Sequence, residues 1–502
     1  MNRIILIFAA VLIIGTVNAQ GSSEETATTL TGNETSLATG RYKVNSNITF
    51  NQTLILSGDV DIILGDGYVM NVGTKDKSVE GCGIDDKDES HYNLIVSGSG
   101  TLNVYASSNG ISVKSFTLNG GTVNVNGSYG ILASGVANES SVNILGGSLT
   151  ATGSNGNGIT ANNGNISISG GIVEANGNLK GISRLSTNGK IILAGGTVTA
   201  SSYLGTVEVS SGLIYSDGNN TSTVFTNLDK TKTLRPALLD AISNAAAIEA
   251  LKKHKLGSIV LHDRILYKDG YWNTLCLPFD IANINAMDGE NNFLCPLHGA
   301  SVRTLTNASI SGYTLDLTFG EPVTALTAGT PYIIKWTKAD GYDQASEDTR
   351  DIKNPVFYNV TISDATNNAT FSGVLTFTGT YSPVSINSNG DNTKLYLGAG
   401  NKLYWPNGEM TVKCQRAYFQ LADGITAGEK ASVRAFNLNF GDEDDKTGIT
   451  TTDFLDEPSG RAERTDYTDK ASAWYDLSGR NLSGKPTKKG LYINNGKLVV
   501  IK

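Results

Sequence analysis

Between residues 41 and 218, apolar and polar residues alternate in short runs, and the alternation restarts at a regular interval. One unit reads Phe116-Thr117-Leu118-Asn119-Gly120-Gly121-Thr122-Val123-Asn124-Val125, two alternating arms around paired glycines. It returns at 142–151 around Gly146-Gly147, at 166–175 around Gly170-Gly171, and at 191–200 around Gly195-Gly196. The second glycines stand at 121, 147, 171 and 196, intervals of 26, 24 and 25. A shorter unit precedes them at Gly100, and a degenerate one follows at Gly212. A second mark recurs between the pairs: Gly110-Ile111, Gly130-Ile131, Gly158-Ile159 and Gly181-Ile182. Period-2 alternation puts Val, Ile and Leu on one face and Thr, Asn and Ser on the other. Glycines serve the corners. The repeat predicts a parallel β-solenoid over 41–218, with a linker at 20–40 before it. An antiparallel sandwich is the competing reading, but its loops would not keep this period.

The pattern changes after residue 218. Pro236 opens a stretch with Leu238, Leu239, Ile242, Ala245 and Ala246 along one side, which predicts a helix over 236–255 ahead of Gly257. Such a helix, within a connecting segment at 219–257, would cover the open end of the solenoid. From 258 to 440 the chain reads as strands between turn signals, among them 258–261, 332–336, 356–362, 374–380, 394–397, 402–405, 416–420 and 432–439. They predict an antiparallel β-sandwich. Residues 441–470 are acidic and weakly apolar, a flexible linker by composition. Residues 471–502 hold short strands joined by glycine turns. The fold class expected is therefore all-β.

Composition sharpens this division. Of 57 glycines, 30 lie between Arg41 and Gly218, whereas all ten prolines and all four tryptophans lie at or beyond Pro236. Stacked strands need every backbone N–H, which proline lacks. The chain carries 39 Lys+Arg against 47 Asp+Glu, a net −8, and gripping a phosphate backbone is excluded on that balance. Residues 1–19, with Arg3, the apolar run 4–14 and Val17-Asn18-Ala19, read as a secretory signal peptide; the run is too short to span a bilayer. No other stretch is apolar enough to do so, so an exported mature chain without a transmembrane segment is expected. Cys276 and Cys295, separated by an 18-residue loop, either pair or remain buried free thiols.

Candidate chemistry is sparse. The loop Asp85-Asp86-Lys87-Asp88-Glu89 offers oxygen ligands for calcium through Asp85, Asp86, Asp88 and Glu89, or is simply a solvated charged loop. Tyr105, Tyr129 and Tyr203 are candidates for stacking on sugar rings, or cover the coil edges. A glycosidase needs paired carboxylates across the scissile bond. In the repeat half Asp85/Asp86 and Asp59/Asp61 are the acid pairs, His91 is the one histidine, and Arg184 stands apart, so no catalytic set emerges.

The recurring Gly-Ile and Gly-Gly coil resembles the right-handed β-helix family of exported bacterial calcium- and polysaccharide-binding proteins. That resemblance implies glycan binding, although the acidic step such proteins carry after Gly-Ile is replaced here by Ser112-Val113-Lys114-Ser115 and Thr160-Ala161-Asn162-Asn163. The run 266–279, containing Trp272-Asn273-Thr274-Leu275-Cys276-Leu277-Pro278-Phe279, resembles a module of Bacteroidales surface proteins. Residues 474–480, 489–493 and 496–502 resemble the C-terminal sorting domain of the type IX secretion route. These readings converge on an exported, surface-associated, non-enzymatic protein binding polysaccharide or host glycan. A structural spacer, an adhesin with a host or cell-envelope protein partner, and a β-helical lyase or hydrolase are the alternatives.

Overall fold

The computed structural model describes residues 27–87, 92–135, 140–185, 189–226, 228–252, 254–287, 293–338, 350–386, 391–398, 401–405, 409–428, 430–440, 447–449, 474–475, 481–482, 490–494 and 497–501. They fall into two compact units, one within Met1–Ala237 and His254–Ile259, the other within Leu238–Lys253 and Val260–Lys502.

The first unit is a parallel β-solenoid. A representative turn runs Ser115–Leu118 in sheet 1, Thr122–Gly127 in sheet 2 and Tyr129–Ala133 in sheet 3, then climbs to Ser141–Ile144 above its starting strand. Each strand pairs in parallel with its counterparts in the neighbouring turns, which satisfies the backbone without a hairpin. Identical positions therefore stack into columns. In sheet 3, Leu54, Ile84, Ile111, Ile131, Ile159 and Ile182 stand in register, each fully buried. In sheet 2, Val72, Val104 and Val125 give way to Ala151, Ala175 and Ala200. Full burial of such a side chain contributes roughly 1.5–3 kcal/mol.

The two glycine marks have separate causes. Gly147 has φ +75°, and a Cβ there would lie 2.5 Å from the Gly121 carbonyl oxygen of the turn below. Only glycine makes that corner. At Gly110 the cause is packing, since a Cβ would sit 2.2 Å from Cγ1 of Val125 and 2.8 Å from the Gly130 oxygen.

The solenoid starts within the expected linker: Thr28–Thr29 pairs in parallel with Tyr42 and Lys43, and Leu30 and Leu37 already fill the core. At its other end, Tyr215 is fully buried; its hydroxyl accepts from Gly195 N at 2.7 Å and donates to Gly196 O at 3.0 Å, pinning the last glycine corner.

The helix expected over 236–255 is replaced by two strands and a shorter helix. Lys232–Leu239 is a strand whose first residues pair antiparallel with the last rung of sheet 2, Val198↔Leu234. Pro236 itself lies opposite Tyr215 of a second antiparallel partner, Tyr215–Ser216. The helix is Ala245–Leu251 and belongs to the second unit. Residues 254–259 return to the solenoid, where Leu256 bridges Gly171 and Ser258 N donates to Thr197 Oγ1 at 2.8 Å. Strands thus cover the rung that the sequence assigned to a helix, because an open ladder edge outweighs local helix propensity.

The second unit is a set of largely antiparallel sheets, as expected. Ala369–Phe371, Leu375–Gly379, Ala417–Leu421, Lys394–Gly398 and Lys402–Tyr404 form a five-stranded sheet. Asn273–Cys276, Pro331–Lys335 and Ser301–Arg303 form another. In a third, Thr314–Phe319 pairs in parallel with Ala435–Asn439. The core is aromatic: Phe377 stacks on Phe419 with ring centroids 4.5 Å apart, and Phe440 lies between Trp272 at 5.3 Å and Phe319 at 5.5 Å. Trp272 is therefore core. All four cysteines are free. Burial pushes the Cys276 thiol up to about 12 and that of Cys295 to about 11, so both behave as packed apolar groups. Strand Thr447–Ile449 extends the third sheet into the expected linker. The strands Trp474–Tyr475, Asn481–Leu482, Gly490–Asn494 and Lys497–Ile501 form a small antiparallel sheet.

Candidate functional site

Inward columns hold the solenoid together; outward columns are what it offers a ligand. On sheet 2 the outward positions of four successive turns are Thr101, Asn103 and Tyr105; Thr122, Asn124 and Asn126; Ser148, Thr150 and Thr152; then Ile172, Glu174 and Asn176. The middle column forms a ladder of amides. Asn124 Nδ2 donates to Asn103 Oδ1 at 2.9 Å, Asn103 Nδ2 donates to Asn71 Oδ1 at 3.0 Å, and Asn71 Nδ2 donates to Thr49 Oγ1 at 3.3 Å. Every amide rung keeps one N–H and at least one oxygen lone pair outside the ladder. The turn spacing repeats that donor and acceptor about every 4.8 Å. Sequence reading passed over this ladder, although its signal was present as Met70-Asn71-Val72, Leu102-Asn103-Val104 and Val123-Asn124-Val125.

The three tyrosines differ sharply. Tyr105 closes an outward row of sheet 2 and is half-buried. Tyr129 opens the sheet 3 strand of the next turn and is 36% exposed. A Cβ added to Gly156 would lie 2.3 Å from the Tyr129 ring, so the ring rests on that glycine. Held in this way, it forms a flat platform with little rotamer entropy left to lose. Tyr203 is a correction: it stands in register with Ile182 at the end of the inward isoleucine column and is 4% exposed, out of reach of any sugar. Its burial raises its hydroxyl pKa. Tyr68, which the sequence reading did not single out, is 40% exposed just before Val69 of sheet 2.

The carboxylates do not converge. Asp85 faces outward from sheet 3 in register with Ser112, while Asp86 is buried, as strand alternation requires. Burial first, and the Asp86 charge second, raise the Asp85 carboxyl pKa. Asp88 and Glu89 lie outside the described residues. Asp61 is engaged by Arg41 Nε at 3.1 Å, and Asp59 accepts from the backbone and side-chain nitrogens of Asn93. Among the described residues, no group of three or more His, Cys, Asp or Glu that could hold a metal ion is present.

No curated protein and no solved structure matches this chain. Residues 87–249, a stretch that includes the amide ladder from Asn103, Tyr105, Tyr129 and Glu174, match the family model described as a carbohydrate-binding domain-containing protein.

Proposed function

We propose that this is an exported, surface-associated protein that binds polysaccharide or host glycan through the outer face of its solenoid, without turning it over. The observation that carries this reading is the coincidence of two things: the stretch matching a carbohydrate-binding family and the turns bearing the hydrogen-bonding columns of sheet 2, uncharged from Thr101 to Thr152. Asparagine, threonine and serine give both donors and acceptors, the complement of a sugar hydroxyl. Tyr129 and Tyr105 add faces for apolar patches of sugar rings.

Binding without hydrolysis is supported by the placement of the acids. Asp85 and Asp86 point to opposite sides of one strand, and Asp59 and Asp61 are already committed, so neither pair flanks a glycosidic oxygen. Export is supported by the secretory start read at 1–19, and no helix among the described residues is long and apolar enough to cross a membrane. Calcium in the 85–89 loop, where Asp85 is the outward-facing described carboxylate, is the part of the proposal that the chelator arm tests, a solvated charged loop being its alternative.

The test is retention of the full chain on a panel of immobilised polysaccharides, with and without chelator, alongside an assay of new reducing ends. Retention without reducing-end release is the expected result. Release would move the protein to the enzymes, no retention on any glycan would leave it a scaffold or protein-binding adhesin, and chelator-insensitive retention would remove calcium from the proposal.

A further inference from the structure

We propose that the ligand is a neutral, extended glycan lying along the stack on sheet 2, about one sugar step per turn, and that Glu174 turns acidic polymers away. This rests on the glycan reading above and adds to it a face, a direction and a charge class.

The direction follows from the ladder. Columns run perpendicular to the strands, and the hydrogen-bonded amides of Asn71, Asn103 and Asn124 recur along that axis about every 4.8 Å, whereas successive outward groups along a strand stand about 6.6 Å apart. A polymer whose units repeat at the shorter step meets the bonded amides in turn by running with the columns. The amides also have a sense, each Nδ2 donating toward the N-terminal turn, which leaves Asn124 Oδ1 as the open acceptor end. Sheet 1 offers no comparable track, since its outward column carries Arg41 and Asp61 at one end and Glu208 at the other.

The charge class follows from what the face lacks. Over the four turns from Thr101 to Asn176, the outward positions hold no cation, so a uronate or sulfate would give up its hydration with no charge-assisted bond in return. The one charge there is Glu174, in the same column as Asn103 and Asn124 and held by Asn176 Nδ2 at 2.9 Å. It repels an anionic chain and accepts a hydrogen bond from a neutral one.

The experiment uses the full chain with hydroxyethyl cellulose as the neutral probe and polygalacturonate as the acidic one, read by affinity electrophoresis. The native protein is expected to bind the neutral polymer at least about tenfold more tightly. Asn103→Ala with Asn124→Ala removes two rungs and is expected to weaken neutral binding about tenfold or more. Thr117→Ala with Asn143→Ala, on sheet 1, is expected to leave binding unchanged. Asn124→Asp preserves the side-chain shape if the alanine pair does not fold, and is expected to weaken binding as well. Glu174→Gln is expected to narrow the gap between the polymers. Preference for polygalacturonate, or loss of binding in the sheet 1 variant but not in the ladder variants, overturns the proposal. Failure of the native chain to bind either polymer overturns the glycan reading itself, and this one with it.

Discussion

The solenoid and the second unit are both β-structures with buried hydrophobic cores, yet they find their partners at different distances along the chain. In the solenoid, Asn124 bonds Asn103 across 21 residues, and Asn162 bonds Ser134 across 28. In the second unit, Asn437 bonds Asp316 across 121 residues, Trp272 N bonds Asn401 across 129, and Ala417 N bonds Thr274 across 143. Closing the longer loops costs more chain entropy before any contact repays it. The core fillings match this difference. Stacked columns of Ile, Val and Ala suffice where each turn needs only its neighbours, whereas the second unit gathers large aromatic groups that bury much surface per residue.

The largest expected effect lies in the second unit. Phe377→Ala removes a fully buried ring stacked on Phe419 and should cost about 3–5 kcal/mol. Because that core is shared by strands from all over the unit, protection from hydrogen exchange should fall throughout it. Ile131→Ala, in the isoleucine column, should cost about 2–5 kcal/mol. There the loss of protection should be steepest in the turns holding Ile111 and Ile159 and fade with distance, as nearest-neighbour coupling requires. Uniform loss across all turns would break the comparison.

The same difference governs how much could be read in advance. The period, the strands and the inward faces of the solenoid were legible because each residue's partner is its own counterpart one repeat on. Tyr203 was misread because it occupies the place of an isoleucine in the column, and the degenerate spacing near Gly205 and Gly212 hid that register. The amide ladder was missed because alternation marks asparagine only as outward, while the bonds to its neighbours exist only once turns stack. In the second unit the individual strands could be read, but their order could not. Nothing local tells Thr314–Phe319 to lie parallel to Ala435–Asn439, and nothing near Pro236 announces the open rung that recruits it as a strand.

A smaller effect tests the end of the solenoid. Tyr215→Phe keeps the ring but leaves the buried Gly195 N–H without its acceptor, which should cost about 1–3 kcal/mol. The exchange rate of the Gly195 amide should rise first, and the second unit's unfolding transition should not move. A shift in both transitions would show that the two units melt as one.

The smallest predicted effects carry opposite signs in the two units. Asp391, in the second unit, bonds Lys394 Nζ at 2.7 Å and Thr393, which holds its carboxyl down at about 2. Its ordinary unfolded value is about 3.9, so this contribution is present above pH 4 and is lost as pH falls toward 2. Both side chains keep part of their surface in water, 30% for Asp391 and 22% for Lys394, so Asp391→Asn should destabilise the second unit by under about 1 kcal/mol at pH 7, with no difference left near pH 2. Asp85, in the solenoid, is shifted the other way, by burial first and by Asp86 second. A carboxyl raised on folding opposes the fold while it is charged and stops opposing it once protonated. Asp85→Asn should therefore stabilise the solenoid at neutral pH, again by under about 1 kcal/mol, with the gain shrinking on acidification. Melting the two variants between pH 2 and pH 7 separates the cases: acid should erase a loss in one unit and a gain in the other. A gain at Asp85 that persisted at pH 2 would mean that the shape of the carboxyl group, rather than its charge, sets the cost at that turn.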